Sequence, residues 1–482
     1  MSTGGQAKEL GFYGGQWMSF LPYVIFLVLI VITTFCFGSI SDGALWLPAF
    51  AALLIPFFFA RDKNAYADAL VEGMASREAI LPVVCWLFAG VFSRILRESG
   101  LAAGVAGLAA GTGVGSVAFM VISFIASAVF ATASGTGFGT IAAGMGVLYP
   151  AGLALGAHPG ILAGAIISGA AFGDNLAPIS DTTICSAASQ DVDVPGVVRS
   201  RLKYALAAGA LTIAAIIIFG NIAGGGQSPA ENIAYDPRTL WMFLPVAITI
   251  LAAARSGNII IATTLGITAG GAVAVAAGLM DFIQIDAAGA LRPALITVSG
   301  SGLDRAVGGV IQAGLSSMLQ VSVLAILLSG ATAVMRAGGG DKRLLAAITG
   351  AVKGPAGAEL IISGMVILLS SLMGLNAPAI LAVGASFAKP IALTYGISPY
   401  RTANLLDAQS NTLVYCLPWT PAIVYTLGFT ADSARPLTAM EVTPFVFYAF
   451  AMLAVMTVTI FLGIGRQDGL KAQAARQREG RR

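Results

Sequence analysis

The sequence predicts an all-α polytopic membrane protein built from two duplicated halves. Three observations carry that expectation. Of 482 residues, 57% are hydrophobic and only 10% charged, with a mean hydropathy of +0.87, whereas soluble domains are about 45–50% apolar and about 25% charged. Apolar runs recur along the whole chain, and at roughly 20 residues per span plus short loops the length accommodates about a dozen crossings. Prolines, glycines and hydroxyl side chains recur at an offset of 240 residues. A soluble enzyme, a nucleic-acid binder and a secreted disulfide scaffold are excluded by this composition.

The first spans read as 21–37 and 44–60, followed by a polar, amphipathic connection from Arg61, Asp62 and Lys63 to Glu78. Apolar segments follow at 80–97, 101–111, 116–133, 137–157 and 160–174. A charged stretch, 191–203, precedes a span at 204–222, and the glycine-rich polar segment 224–238 is the best internal boundary. Beyond it lie 239–254, 257–280, 307–336, 358–374, 377–397, 400–416 and 439–464. The expected organisation is a first repeat half with flanking spans (1–223), a polar linker (224–238), a second half (239–465) and a basic tail (466–482). In that tail Arg466, Lys471, Arg476, Arg478, Arg481 and Arg482 outnumber Asp468 and Glu479. Positive charge beside a span marks the cytoplasmic side, so the C-terminus is expected inside. Cys36, Cys85, Cys185 and Cys416 are too scattered for a metal or disulfide framework. The polar opening suggests no removable signal peptide.

At the offset of 240, Pro150, Pro159 and Pro178 meet Pro390, Pro399 and Pro418, and Gly90, Gly144 and Gly156 meet Gly330, Gly384 and Gly396. Leu81 and Leu87 meet Val321 and Leu327, and Ser180 meets Thr420. Trp17-Met18 before Pro22 is echoed by Trp241-Met242 before Pro245 at a shorter offset. With only 20 prolines in the chain, such matches point to duplication rather than chance. Duplicated halves with breakers at matching places are the pattern of secondary transporters, whose sites lie near the midplane on discontinuous helices. A proline removes a backbone donor, and the carbonyls it frees are costly in hydrocarbon unless they line a cavity or meet an ion.

Polar side chains surround these breaks. The string 172–183 carries Asp174, Asn175, Ser180, Asp181, Thr182 and Thr183 around Pro178, directly after an apolar run. A charged Asp at membrane depth costs about 2.5–3.5 kcal/mol and is functional by default. On one continuous helix Asp174 and Asp181 would lie about 10.5 Å apart along the axis, and Pro178 between them allows both to turn toward one cavity. Carboxylate, amide, hydroxyl and freed carbonyl oxygens suit a hard cation such as Na⁺, or a proton. The counterpart 404–412 offers Asn404, Asp407, Ser410, Asn411 and Thr412 before Pro418. Asp407 has two open readings, a structural ion pair with Arg401 or Lys389, or a direct place in the site. Earlier in each half stand Thr132, Ser134, Gly135, Thr136, Gly137 and Thr140, and, in the second, Asn376 before Pro378. Close helix packing accounts for small residues, but the hydroxyl run suggests re-entrant turns lining a cavity. His158, in an Ala-His-Pro-Gly stretch, reads as structural.

Residues 173–183, Gly-Asp-Asn-Leu-Ala-Pro-Ile-Ser-Asp-Thr-Thr, resemble the G-D-K-x-S-P-L-S-D-T-T signature of NhaC-type Na⁺/H⁺ antiporters. Residues 134–140, Ser-Gly-Thr-Gly-Phe-Gly-Thr, are similar to that family's S/T-G-T-S-W-G-T segment. The resemblance runs from about Leu81 through Pro421. It implies inverted repeats with re-entrant hairpins and interrupted helices, moving as an elevator. It assigns Asp174 and Asp181 to cation and proton binding, and Ser134, Thr136, Asn411 and Thr412 to the cavity. This chain departs from the signature at Asn175 (Lys in the family), Ala177 (Ser) and Phe138 (Trp). The family includes Na⁺-linked organic-acid carriers, so the loss of a cation beside Asp174 bears on which substrate is carried.

The leading expectation is Na⁺/H⁺ exchange in a bacterial-type inner membrane, with Na⁺ and H⁺ competing for Asp174 and Asp181 and no cofactor. The alternative is a Na⁺- or H⁺-coupled carrier of an amino acid or small carboxylate, using the same cation residues with hydroxyls and Lys389 or Arg401 for the anion. No arginine stands at an unambiguous midplane position in the sequence, which counts against it. A channel needs no duplicated proline breaks, and a chain with one histidine lacks the residues of an intramembrane hydrolase. Besides the bilayer no macromolecular partner is called for and nucleic acid is excluded, with a homodimer suggested by fold analogy alone.

Overall fold

The computed structural model describes residues 10–37, 46–178, 180–223, 235–256, 258–285, 292–300, 304–340, 343, 354–431, 433 and 435–467. Most of the linker, 224–234, and of the basic tail, 468–482, lies outside the described residues.

Among the described residues the first half carries the α-helices α1 (Leu21–Phe37), α2 (Trp46–Phe57), α3 (Lys63–Met74), α4 (Arg77–Glu98), α5 (Leu101–Gly111), α6 (Ser116–Ser134), α7 (Gly137–Ala154), α8 (Pro159–Leu176), α9 (Asp181–Ser189) and α10 (Val194–Ile222). The second continues with α11 (Phe243–Ser256), α12 (Ile259–Ala276), α13 (Val310–Ser317), α14 (Leu319–Ala337), α15 (Gly354–Met373), α16 (Asn376–Val383), α17 (Lys389–Thr394), α18 (Pro399–Ser410), α19 (Pro421–Thr430), α20 (Ala439–Val442) and α21 (Phe447–Leu462). Six helical stretches among the described residues are long and apolar enough to cross a bilayer, and the bent pair 439–445 and 447–462 makes a seventh. Shorter apolar helices such as α2 and α19 take up other apolar runs.

The repeat in the sequence is a repeat of elements. Helix α6 ends at Gly135, in the left-handed region at φ 68°, and α15 is followed by Gly374 at φ 66°. Only residues without a Cβ adopt that conformation freely, so each half stops one helix and starts the next within a few residues. Pro159 and Pro399 each open a helix, α8 and α18, at a position where the missing N–H costs nothing. Ser180 and Thr420 are the N-cap residues of α9 and α19. The halves also differ. Where the first has the single helix α7, the second has α16, a π-helical turn (Gly384–Ala388) and α17. The Gly384 carbonyl in that turn accepts the Lys389 N–H, the i→i+5 bond of a π-helix, and a second hydrogen bond from Gln190 Nε2 at 3.1 Å. The apolar run 400–416 is likewise interrupted: α18 stops at Ser410, and a 3₁₀ turn (Leu413–Tyr415) follows.

Among the described residues the named strands form a small sheet between α12 and α13, in a connection to which the sequence assigns no element. Strand β1 (Asp281–Ile285) pairs parallel with β2 (Ala294–Ser299), with Asp281 opposite Ala294, and β2 pairs antiparallel with β3 (Ala306–Gly308).

Helix α8 is the axis of the largest core, buried along nearly its whole length. It packs backbone to backbone on α6: a Cβ on Gly169 would lie 2.2 Å from the Phe124 carbonyl oxygen, and one on Gly173 would lie 2.3 Å from that of Ala128. Small residues allow such an approach in a bilayer, where van der Waals packing and hydrogen bonds hold helices together. The approach carries Asp174, one residue beyond Gly173, into the interior, only 5% exposed.

Candidate functional site: a buried carboxylate network at four helix breaks

The breaks of the two halves meet. A Cβ on Gly137, the first residue of α7, would fall 1.9 Å from the Tyr415 hydroxyl, and one on Gly374 would lie 3.1 Å from Pro421, the first residue of α19. Phe138 stacks on Tyr415 with ring centroids 5.7 Å apart. The hinge of the first hairpin therefore lies against the α18–α19 break.

Asp174 is held by hydroxyls. Ser180 Oγ donates to Asp174 Oδ1 at 2.9 Å, and the Tyr415 hydroxyl donates to Oδ2 at 3.0 Å. Ser180 also lies 2.9 Å from Thr182 Oγ1. Among the described residues Asp174 has no Lys or Arg partner. Beyond Pro178 the chain folds back only far enough to bring Ser180 onto Asp174. Asp181 shares none of these contacts: its carboxylate accepts from the Thr182 N–H at 2.8 Å and its side chain is exposed, between the fully buried Ser180 and the buried Thr182.

Asp407 is held by a cation instead. Arg201, on α10, places Nη1 2.5 Å from Asp407 Oδ2, and both side chains are fully buried. The same Nη1 donates to the Asn175 carbonyl at 2.6 Å and to Thr183 Oγ1 at 3.2 Å, while Nε donates to Asn404 Oδ1 at 3.1 Å. Asn404 in turn donates to Ser200 Oγ at 2.7 Å. Asn411 Nδ2 reaches Asp407 Oδ1 at 2.9 Å and Asn175 Oδ1 at 3.1 Å, Asn376 donates to Asn411 Oδ1, and Asn175 Nδ2 contacts the Tyr448 hydroxyl at 3.3 Å. An amide chain thus joins Asp407 to Asn175, the residue after Asp174, across the halves. Asn376 Oδ1 and Arg201 Nη2 are buried with no protein partner.

The structure therefore brings together Asp174, Asn175, Ser180, Thr182, Thr183, Asn376, Asn404, Asp407 and Asn411. Other expected cavity residues serve the backbone. Thr136 Oγ1 caps α7 by accepting from the Gly139 N–H at 3.2 Å. Ser410 and Thr412 hydroxyls donate to the carbonyls of Asp407 and Gln409, at 2.9 and 2.6 Å. Thr132 donates to the Ala128 carbonyl at 2.8 Å and lies 3.4 Å from that of Gly173. Gly135 and Gly137 form the hinge, and Ser134 Oγ is buried there without a protein partner. His158 caps α8, its Nδ1 accepting from the Ile161 N–H.

The expected pairing of Asp407 with Arg401 or Lys389 is corrected. Arg401 binds Glu359 at 2.8 Å, a carboxylate shared with Arg466 at 3.0 Å, and Lys389 pairs with Asp191. Arg201 was missed because it stands in the charged stretch 191–203, which reads as a solvated connection. The signal that finds it is spacing: the buried face of α10 runs Val197, Arg201, Tyr204, Ala205, Ala208, a helical i, i+4, i+7 stripe. Tyr415 and Tyr448 sit in apolar runs that disguise their hydroxyls.

The sequence profile of the Na⁺/H⁺ antiporter family matches residues 15–225 and 221–464. The chain belongs to the Na⁺/H⁺ antiporter family. It is a multi-pass membrane transporter of the secondary type and not an enzyme. This antiporter-family chain is 25% identical over 256 residues to the Malate-2H(+)/Na(+)-lactate antiporter of Bacillus subtilis (strain 168), over 47% of its own length. It spans about half the length of that curated relative, 50%. Among solved structures it is similar to the Alcanivorax borkumensis YdaH transporter (16% identity, TM-score 0.42, 92% of this chain and 98% of that one). It is also similar to Neisseria gonorrhoeae MtrF (12% identity, TM-score 0.38, 92% and 97%).

Proposed function

We propose that the chain exchanges Na⁺ for H⁺ across a bacterial-type inner membrane, with Asp174 as the carboxylate for which the two ions compete. The observation that carries this reading is that Asp174 is buried and contacted by hydroxyls rather than by a cation. A carboxylate out of water is costly until its charge is neutralised, and either a proton or Na⁺ neutralises it. One site then serves one ion at a time, and competition couples the two fluxes without covalent chemistry. Ser180, Thr182 and the Asn175 amide supply oxygens for a hard cation. Asp181, exposed beside this cluster, receives ions on their way to Asp174. Alternating exposure comes from an elevator-like movement of the broken helices, as inverted repeats with re-entrant hairpins, against the flanking spans, in a homodimer with the basic tail in the cytoplasm. The test is Na⁺-driven proton movement in proteoliposomes with a trapped pH dye. Parent activity that disappears in Asp174→Asn is expected, and a folded parent without cation-driven proton flux rejects the reading.

A second reading, Na⁺- or H⁺-coupled carriage of a small carboxylate, is favoured by Arg201. The sequence lacked a recognisable cation at depth, and Arg201 supplies one with an unpartnered Nη2. A relative named for malate and lactate supports the same reading. Here Na⁺ moves protons only when a dicarboxylate or hydroxy acid is supplied, and radiolabelled malate accumulates in response to the Na⁺ gradient.

A further inference from the structure

We propose that Arg201 is a resident counter-ion that withholds Asp407 from the transported cation, leaving Asp174 as the buried carboxylate open to exchange. The inference deepens the exchange reading and rests on it. The two acids lie in neighbouring hydrogen-bond clusters and are dressed differently. Asp174 accepts from two hydroxyls, Ser180 and Tyr415. A hydroxyl has lone pairs as well as a proton, so it can rotate and offer its oxygen when a cation arrives. Asp407 accepts from a guanidinium on one oxygen and from the Asn411 amide on the other. A guanidinium has donors only, and a cation can take its place only by expelling it.

Expulsion is opposed by the rest of the network. Arg201 also holds the Asn175 carbonyl, Thr183 and Asn404, so moving it breaks four interactions at once and strands a charge in an interior with no exposed surface. The repeat points the same way. At the offset of 240, Asp407 falls on Ile167 and Asp174 on Val414, so the acids are not equivalent positions of one ancestral site. The second-half acid has no matching acid at that offset, and its counter-charge is supplied from the first half. Arg201 is accordingly a positioning residue that acts through Asp407 and sets how many cations the site takes.

The test is ²²Na⁺ binding to the purified, detergent-solubilised protein, comparing the parent with Arg201→Gln, Arg201→Gln/Asp407→Asn and Asp174→Asn. Arg201→Gln is expected to gain one Na⁺ per chain as Asp407 becomes available. The double variant is expected to return to the parental count with affinity within about tenfold of the parent, and Asp174→Asn to lose the parental site. A double variant that no longer binds Na⁺, or a folded Arg201→Gln with the parental count, overturns the proposal. If Arg201→Gln does not fold, the double variant decides alone, because removing both partners of a buried ion pair is tolerated far better than removing one. Na⁺ binding at Asp174 without proton counterflux in proteoliposomes would reject the exchange reading and leave the assignment of Arg201 standing.

Discussion

The hydroxyl of Tyr415 lies 3.0 Å from Asp174 Oδ2, although 241 residues separate them. The contact crosses from one half of the duplicated chain to the other, between the α18–α19 break and the end of α8. It makes the surroundings of the Asp174 carboxylate dependent on the packing of both halves.

Tyr415→Phe removes one of the two hydroxyl donors to Asp174 and keeps the ring against Phe138. A hydrogen bond to a charged group is worth about 1.5–3 kcal/mol. The expected result is a folded protein whose cation-driven flux falls by roughly tenfold or more, on the scale of about 1.4 kcal/mol per decade. Unchanged flux would show that Ser180 alone suffices to prepare the carboxylate.

Asp174→Asn and Asp181→Asn should separate cleanly. The buried Asp174 is expected to be indispensable for coupled flux. The exposed Asp181, whose described hydrogen bond is to its own helix, is expected to leave residual flux with a higher Na⁺ half-saturation. Equal loss in both variants would place the two acids in one inseparable site.

Glu359 accepts Arg401 on one oxygen and Arg466 on the other, and is itself fully buried. Glu359→Gln should therefore lower stability by about 3–5 kcal/mol, the cost of stranding a buried charge. Arg435→Ala breaks an ion pair with Glu441 whose arginine is 56% exposed, and should cost no more than about 1 kcal/mol. Thermal unfolding in detergent distinguishes them, and similar shifts would contradict the burial argument.

Two glycine substitutions should have opposite signs. Gly173→Ala puts a methyl 2.3 Å from the Ala128 carbonyl oxygen, an overpacking expected to cost about 1–3 kcal/mol and to displace Asp174, so flux should fall with stability. Gly357→Ala, within α15 and with open space around its Cβ, should stabilise by about 0.5–1 kcal/mol through the unfolded chain. Melting temperatures of the two variants against the parent are the check.

The sequence by itself determined the membrane class, the duplication and the break positions, because these follow from local chemistry. Apolar runs must leave water, prolines cannot continue a hydrogen-bond ladder, and a left-handed turn such as that at Gly135 or Gly374 needs glycine. It also brought Asp174, Asn175, Ser180, Asn376, Asp407 and Asn411 into view, since polar side chains at membrane depth are conspicuous. What it could not decide was which groups face which. Arg201 looked like one charge in a hydrophilic connection, yet the rotation of α10 turns it inward to Asp407. Arg401 looked like a partner for Asp407, yet it is taken by Glu359, and Asp181 looked like a twin of Asp174, yet its carboxylate stays solvent-accessible and accepts from the Thr182 N–H of its own helix. Contacts across the site join residues up to 273 positions apart. They depend on the backbone contact of α8 with α6 and on how the halves meet, and a pairing between distant side chains is fixed only when the helices that carry them have packed.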